Sequence, residues 1–171
     1  VLVSVFFYGC VTLDGYLSGR GHELDWLEET GAAEETGYAG FYAQMDIALM
    51  GRRTFEAVAA AGDPAAIYPT TENYVFTHRP LSQKGFTAVS GDPAVFVEGL
   101  EREKNIWVLG GGAILASLLD RELVDHMVVQ IAPVLLGDGI PLFPRRESRC
   151  RFCLEEVRRY GQFAEMVYRK I

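Results

Sequence analysis

The spacing of hydrophobic positions along this chain changes several times, and each change marks an element. Val1 to Tyr8 is a short apolar run rich in valine and aromatic residues, which predicts a buried strand. From Gly9 to Glu28 the periodicity is lost and Gly9, Gly15, Gly19 and Gly21 gather with Asp14 and Asp25, so a long loop suited to function is expected there. Tyr38, Phe41, Tyr42 and Met45 recur at helical spacing. They predict an amphipathic helix over Ala32 to Met45 that leads into an apolar strand, Asp46 to Met50. Gly51-Arg52-Arg53-Thr54-Phe55-Glu56 comes next, a glycine and a capping-type threonine opening an alanine-rich helix that ends near Gly62.

Tyr74 to Thr77 and Phe86 to Val89 predict two more strands. Asp92-Pro93, an N-cap and a first-turn proline, starts a helix expected to reach Lys104 with Phe96 and Leu100 on its core face. Ile106 to Leu109 is a third apolar strand, and Gly110-Gly111-Gly112 turns it into a helix whose Ile114/Leu118 and Leu115/Leu119 pairs mark the buried side. Beyond Val124 strands dominate: Met127 to Ile131, then a glycine- and proline-punctuated connection from Pro133 to Pro144, then Arg151 to Val157 and Phe163 to Arg169 as a hairpin around Gly161. Alternating strands and helices followed by strands predict an α/β protein of three layers, α/β/α, with a mostly parallel sheet ending in antiparallel C-terminal edge strands.

Composition narrows the function classes. The chain has 171 residues, 49% apolar and 23% charged, which suits a single soluble domain over 1–171. Its net charge of −7 disfavours a nucleic-acid partner, and no apolar run approaches a membrane span. The apolar start lacks a basic leader and a cleavage pattern, and Cys10, Cys150 and Cys153 form no disulfide framework, so a cytoplasmic location is expected. Cys150 and Cys153 make a CxxC without a second ligand pair, read as two ordinary cysteines with no metal.

Three junctions carry chemistry. Gly110-Gly111-Gly112-Ala113-Ile114-Leu115 delivers a buried strand to a helix start, where free N–H groups and the positive end of the helix dipole favour a phosphate; a ligand-free tight turn is the plain alternative. Gly51, Arg52, Arg53 and Thr54 offer two guanidinium groups, a hydroxyl and orphan backbone donors at a second such junction. Thr77, His78 and Arg79 end a further strand with groups suited to a ribose 2′-phosphate, or form a plain basic turn. Two anion-ready turns on one parallel sheet suggest a dinucleotide across the strand ends. There is no P-loop, GxSxG or HExxH, which weakens hydrolase and metal readings, and His126 reads as structural. Asp14 is either a turn residue or a carboxylate presented to a substrate.

Taken in order, Thr12-Leu13-Asp14-Gly15-Tyr16, Asp46 to Glu56, Tyr74 to His78, Gly110 to Leu115 and Ala132 to Phe143 resemble the dihydrofolate reductase superfamily. The branch is the stand-alone proteins similar to the C-terminal reductase domain of the bifunctional riboflavin-biosynthesis deaminase-reductase. The resemblance implies a dihydrofolate reductase-like eight-stranded mixed sheet, a homodimer, and an NADPH-dependent reductase that passes hydride to a small heterocycle, pyrimidine- or pterin-like. Such an enzyme would be 5-amino-6-(5-phosphoribosylamino)uracil reductase-like or dihydrofolate reductase-like. It places cofactor phosphates at Gly51 to Thr54 and Gly110 to Leu115, and the adenosine ribose at Thr77 to Arg79. Thr12, Asp14 and Gly15 would border nicotinamide and substrate, with Asp14 as the catalytic candidate and Trp26 and Gln130 on the substrate side. The helix carboxylate of true dihydrofolate reductases has candidates in Glu28, Glu29, Glu34 and Glu35, and the chain lacks a deaminase half. The rival from another class is a nucleotide-binding sensor that keeps the cofactor site without turnover.

Overall fold

The computed structural model describes residues 3–100 and 103–171; the first two positions of the expected first strand lie outside them. In chain order the elements are β1 (Ser4–Thr12), β2 (Tyr16–Ser18), α1 (Asp25–Thr30), α2 (Tyr38–Tyr42), β3 (Ile47–Gly51), α3 (Arg52–Ala61), α4 (Pro64–Ile67), β4 (Glu72–Phe76) and β5 (Phe86–Val89). Then follow α5 (Pro93–Glu98), β6 (Asn105–Gly110), α6 (Gly112–Asp120), β7 (His126–Ala132), β8 (Ile140–Pro141), β9 (Phe152–Tyr160) and β10 (Phe163–Lys170).

Eight strands form one mixed sheet in the order β5-β4-β3-β6-β1-β7-β10-β9. The first six run parallel, and β10 and β9 close one side antiparallel, as the sequence predicts. The all-apolar strands are central because both of their faces are covered: Phe7, Leu49, Ile106 and Val108 are fully buried. One face packs on α5 and α6 through Ala94, Val97, Ile114, Leu115, Leu118 and Leu119. The other packs on α2 and α3 through Tyr38, Phe41, Tyr42 and Phe55 around Trp107. Val128 and Val129 belong to these two cores.

Four expectations need correction. The helix over 32–45 is broken: a single 3-10 turn, Ala33–Glu35, is separated from α2 by an extended Thr36 (ψ 179°) and by Gly37. A side chain at Gly37 would meet the Tyr160 hydroxyl at 2.9 Å, so the N-cap of α2 lies directly against Tyr160. Secondly, the long loop is shorter than expected. β1 continues to Thr12, β2 pairs with β8 in a small antiparallel ribbon, and α1 begins at Asp25. Thirdly, α3 opens on Gly51 as N-cap, and Thr54 lies inside the first turn. Finally, α5 stops at Glu98, with Ala94 and Val97 as its buried residues, while Phe96 and Leu100 pack against the core as expected, Phe96 on Tyr74 and Phe76.

Candidate active site

The winding of the sheet places every candidate junction on one edge. From β1 the chain crosses to β3 and moves outward through β4 and β5, then returns to β6 and continues past β1 to β7. The connections that leave the neighbouring strands β3 and β6 therefore run to opposite sides, toward β4 and β7, the place where open parallel sheets form a ligand crevice. Gly51 ends β3 and Gly110 ends β6 beside it, with Met50 opposite Gly110. A methyl group built on Gly51 would lie 3.7 Å from the Gly111 nitrogen, so the two glycine junctions are one surface.

The three glycines do different things. Side-chain atoms placed on Gly110 (φ +119°) or Gly111 would meet nothing within 4 Å, whereas one on Gly112 would meet the Leu142 and Pro141 carbonyl oxygens at 3.0 and 3.1 Å. Gly110 and Gly111 thus leave an open cradle under the first-turn N–H groups of α6, while Gly112 is required by packing. Ala113 borders the cradle, and Ile114 and Leu115 turn into the core.

The basic residues separate. Arg52 donates through Nε to Glu56 Oε1 at 3.0 Å and through NH1 to the Pro80 carbonyl at 3.2 Å. Arg79 donates to the same Glu56 oxygen at 3.0 Å, so the turn after β4 and the start of α3 converge. The paired guanidinium groups, Arg52 foremost, hold the Glu56 carboxyl below the ordinary range. Arg53 faces the other way and meets His22 Nε2 at 2.9 Å. Thr77 Oγ accepts from the Arg79 N–H at 3.1 Å, and His78 is exposed beside it.

Asp14 is a knot just past the carboxyl end of β1. Its Oδ1 accepts from the Thr12 hydroxyl at 2.6 Å and its Oδ2 from the Gly137 N–H at 2.8 Å, with the Leu136 N–H at 3.3 Å. Those donors, Thr12 first, hold its carboxyl below the ordinary value. Thr12 is buried and also accepts from the Tyr16 N–H, and the Gly15 carbonyl (φ +88° at Gly15) receives the Leu142 N–H at 3.1 Å. Asp14 and Gly15 thereby fasten the 12–16 turn to the 132–142 connection.

Trp26 is buried against Ala132 and Phe163, and its indole N–H has no hydrogen-bond partner. Gln130 is buried on β7, opposite Cys10 on one strand and Glu165 on the other. Its amide nitrogen donates to the Tyr8 hydroxyl at 2.8 Å and to Glu165 at 2.9 Å, and Arg158 reaches the other Glu165 oxygen at 3.2 Å. Glu28, Glu29, Glu34 and Glu35 are all exposed. The buried carboxylate is Glu165, which sequence reasoning missed although it shares a strand face with Phe163 and Val167. Glu56 was likewise missed, though its position four residues after Arg52 signals the pair.

Burial pushes the Cys10 thiol up to about 12, Cys153 lies exposed, and no group of three or more metal-ligating side chains occurs among the described residues. His126 stacks on Phe6 at 4.6 Å, as a structural residue would. Among the described residues no helix is long and apolar enough to cross a membrane.

Sheet order and crevice define the class as a dihydrofolate reductase-like fold. The dihydrofolate reductase of Enterococcus faecalis, solved with NADP(H), superposes with a TM-score of 0.65 at 14% identity over 98% of this chain and 96% of that one. Residues 4–164 match the model of the RibD C-terminal domain, and the chain belongs to that family. Uncharacterized protein YwjB of Bacillus subtilis is 31% identical over 165 residues, 94% of each chain. The RibD structure of Acinetobacter baumannii has a TM-score of 0.73 at 15% identity, and this chain spans 58% of its length.

Proposed function

We propose that this protein is an NADPH-dependent reductase of a small, flat heterocycle, pyrimidine- or pterin-like. The observation that carries the reading is the meeting of the Gly51 and Gly110–Gly111 junctions in one open cradle at the carboxyl edge of a parallel sheet. A side chain would fill that cradle, and its absence together with the N–H groups of α6 suits a phosphate.

Gly51, Gly110, Gly111, Ala113 and the first turns of α3 and α6 would hold the cofactor phosphates, with Arg52 and Arg79 toward the ribose 2′-phosphate beside Thr77 and His78. NADPH, when bound, supplies the hydride. The protein supplies placement and dryness. Thr12, Asp14 and Gly15 fix the lip where nicotinamide and substrate would meet, and Asp14 acts there by orienting the turn, since its oxygens are already committed. Trp26 offers a buried, unpartnered N–H and Gln130 a held amide on the substrate side, and a buried donor without a partner favours a ligand carbonyl or ring nitrogen. Homodimer formation belongs to the same reading and is measured by sedimentation.

The test is titration with NADPH followed through tryptophan fluorescence, then NADPH oxidation in the presence of aminopyrimidines and pterins. Binding with substrate-dependent oxidation supports the reductase. Binding without oxidation by any of them favours a sensor, and no binding overturns the cofactor site.

A further inference from the structure

Two guanidinium groups from different junctions close on a single oxygen of the protein itself. Arg52 Nε and Arg79 NH2 each lie 3.0 Å from Glu56 Oε1, and Arg52 also ties the start of α3 to the Pro80 carbonyl. Glu56 is half-exposed, so the arrangement sits at the rim of the crevice. Guanidinium forks bind carboxylate and phosphate oxygens with the same geometry. Glu56 Oε1 therefore stands where an anionic ligand oxygen would stand, and its charge offsets one of the two cations.

We infer that Glu56 sets the choice between NADPH and NADH, narrowing the preference for the phosphorylated nucleotide that Arg52 and Arg79 alone would confer. The inference rests on the cofactor reading proposed above. A 2′-phosphate must take N–H donors from Glu56 and settle beside its negative charge. A 2′-hydroxyl meets no such repulsion and donates a hydrogen bond to a carboxylate, which is how acidic residues hold the ribose in NAD-binding α/β sheets. Glu56 is thus a specificity-determining residue that acts on the ligand through charge and through the two arginines it occupies.

The experiment compares the wild type, Glu56→Gln, Arg79→Ala and the double variant. Each is titrated with NADPH and NADH by tryptophan fluorescence and with 2′,5′-ADP and AMP by calorimetry. Glutamine is isosteric and the position is open, so a thermal melt close to wild type is expected for Glu56→Gln. That variant should bind NADPH and 2′,5′-ADP about three- to tenfold tighter, with NADH and AMP unchanged or weaker, the range expected of a partly exposed ion pair. In the Arg79→Ala background the gain should shrink, because one partner of the pair is gone. If the wild type binds NADPH and Glu56→Gln leaves the NADPH-to-NADH ratio unchanged, or weakens NADPH, the inference is overturned and the cofactor reading stands. If the wild type binds neither dinucleotide, the cofactor reading falls and the inference falls with it.

Discussion

The Gln130 amide nitrogen lies 2.9 Å from the carboxylate of Glu165, a residue only 1% exposed on the neighbouring strand. A carboxylate beside the Arg158 guanidinium accepts and does not donate, so it dictates which end of the Gln130 amide faces it. The second amide hydrogen goes to Tyr8, whose phenol burial pushes up to about 12, keeping it a neutral hydroxyl. The arrangement is a fully specified polar island inside an apolar wall. Glu165→Ala leaves an amide and a guanidinium short of a partner and is expected to cost about 2 kcal/mol in urea unfolding. Glu165→Ala combined with Gln130→Leu should cost less than the two changes summed, since the amide no longer needs an acceptor.

Asp14 should reveal itself through acid. Its folded carboxyl is depressed, Thr12 contributing most, so its stabilisation is present above the unfolded carboxylate value and is lost as pH falls through the lower folded value. Asp14→Asn removes that group. The melting temperatures of wild type and Asp14→Asn are expected to differ by a constant amount from pH 7 down to about 4, the ordinary aspartate value, and to converge below it. A gap that persists at pH 2 would assign the loss to geometry instead of charge. Because Asp14 orients the turn, kcat should fall in the variant while NADPH affinity changes little.

Much of this site could be read in the chain because it is built on local backbone rules. A strand that ends in Gly51 or Gly110 and starts a helix on the next residues announces its junction by residue type alone, and the apolar strands in front of each gave the parallel sheet. Tertiary proximity was not legible in the same way. Gly37 and Gly40 interrupt a good helical pattern, but the extended Thr36 that breaks the helix and the approach of Tyr160 to Gly37 are visible only in the structure. Glu165 alternates correctly for a strand yet points inward, and its partners, Gln130 and Arg158, come from two other strands, β7 and β9. Arg52 and Arg53 look equivalent as neighbours in sequence, while a helix turns them about 100° apart, toward different partners.

The glycine triplet provides a contrast between packing and ligand approach. Gly112→Ala brings a methyl to 3.0 Å from the Leu142 carbonyl, and the backbone there gives way only with strain. A loss of about 1–3 kcal/mol is expected, seen as a lower urea midpoint. Gly111→Ala places its methyl in open space, so stability should be close to wild type. Its cost should appear in NADPH affinity, weakened about tenfold or more, as the methyl occupies the cradle.

Arg52 and Arg53 should also separate by experiment. Arg52 joins α3 to the turn after β4 through Glu56 and Pro80, whereas Arg53 contacts His22 in the connection before α1. A charge-assisted guanidinium contact to phosphate contributes about 1.5–3 kcal/mol, so Arg52→Ala is expected to weaken NADPH about tenfold to a hundredfold. The loss should shrink as salt is raised from 50 to 500 mM, because part of the attraction is screened. Arg53→Ala should change NADPH affinity less than about threefold, since its guanidinium is turned to His22. Equal losses of NADPH affinity in the two variants would mean that both arginines face the same phosphate, and the division drawn by Glu56 and His22 would be wrong.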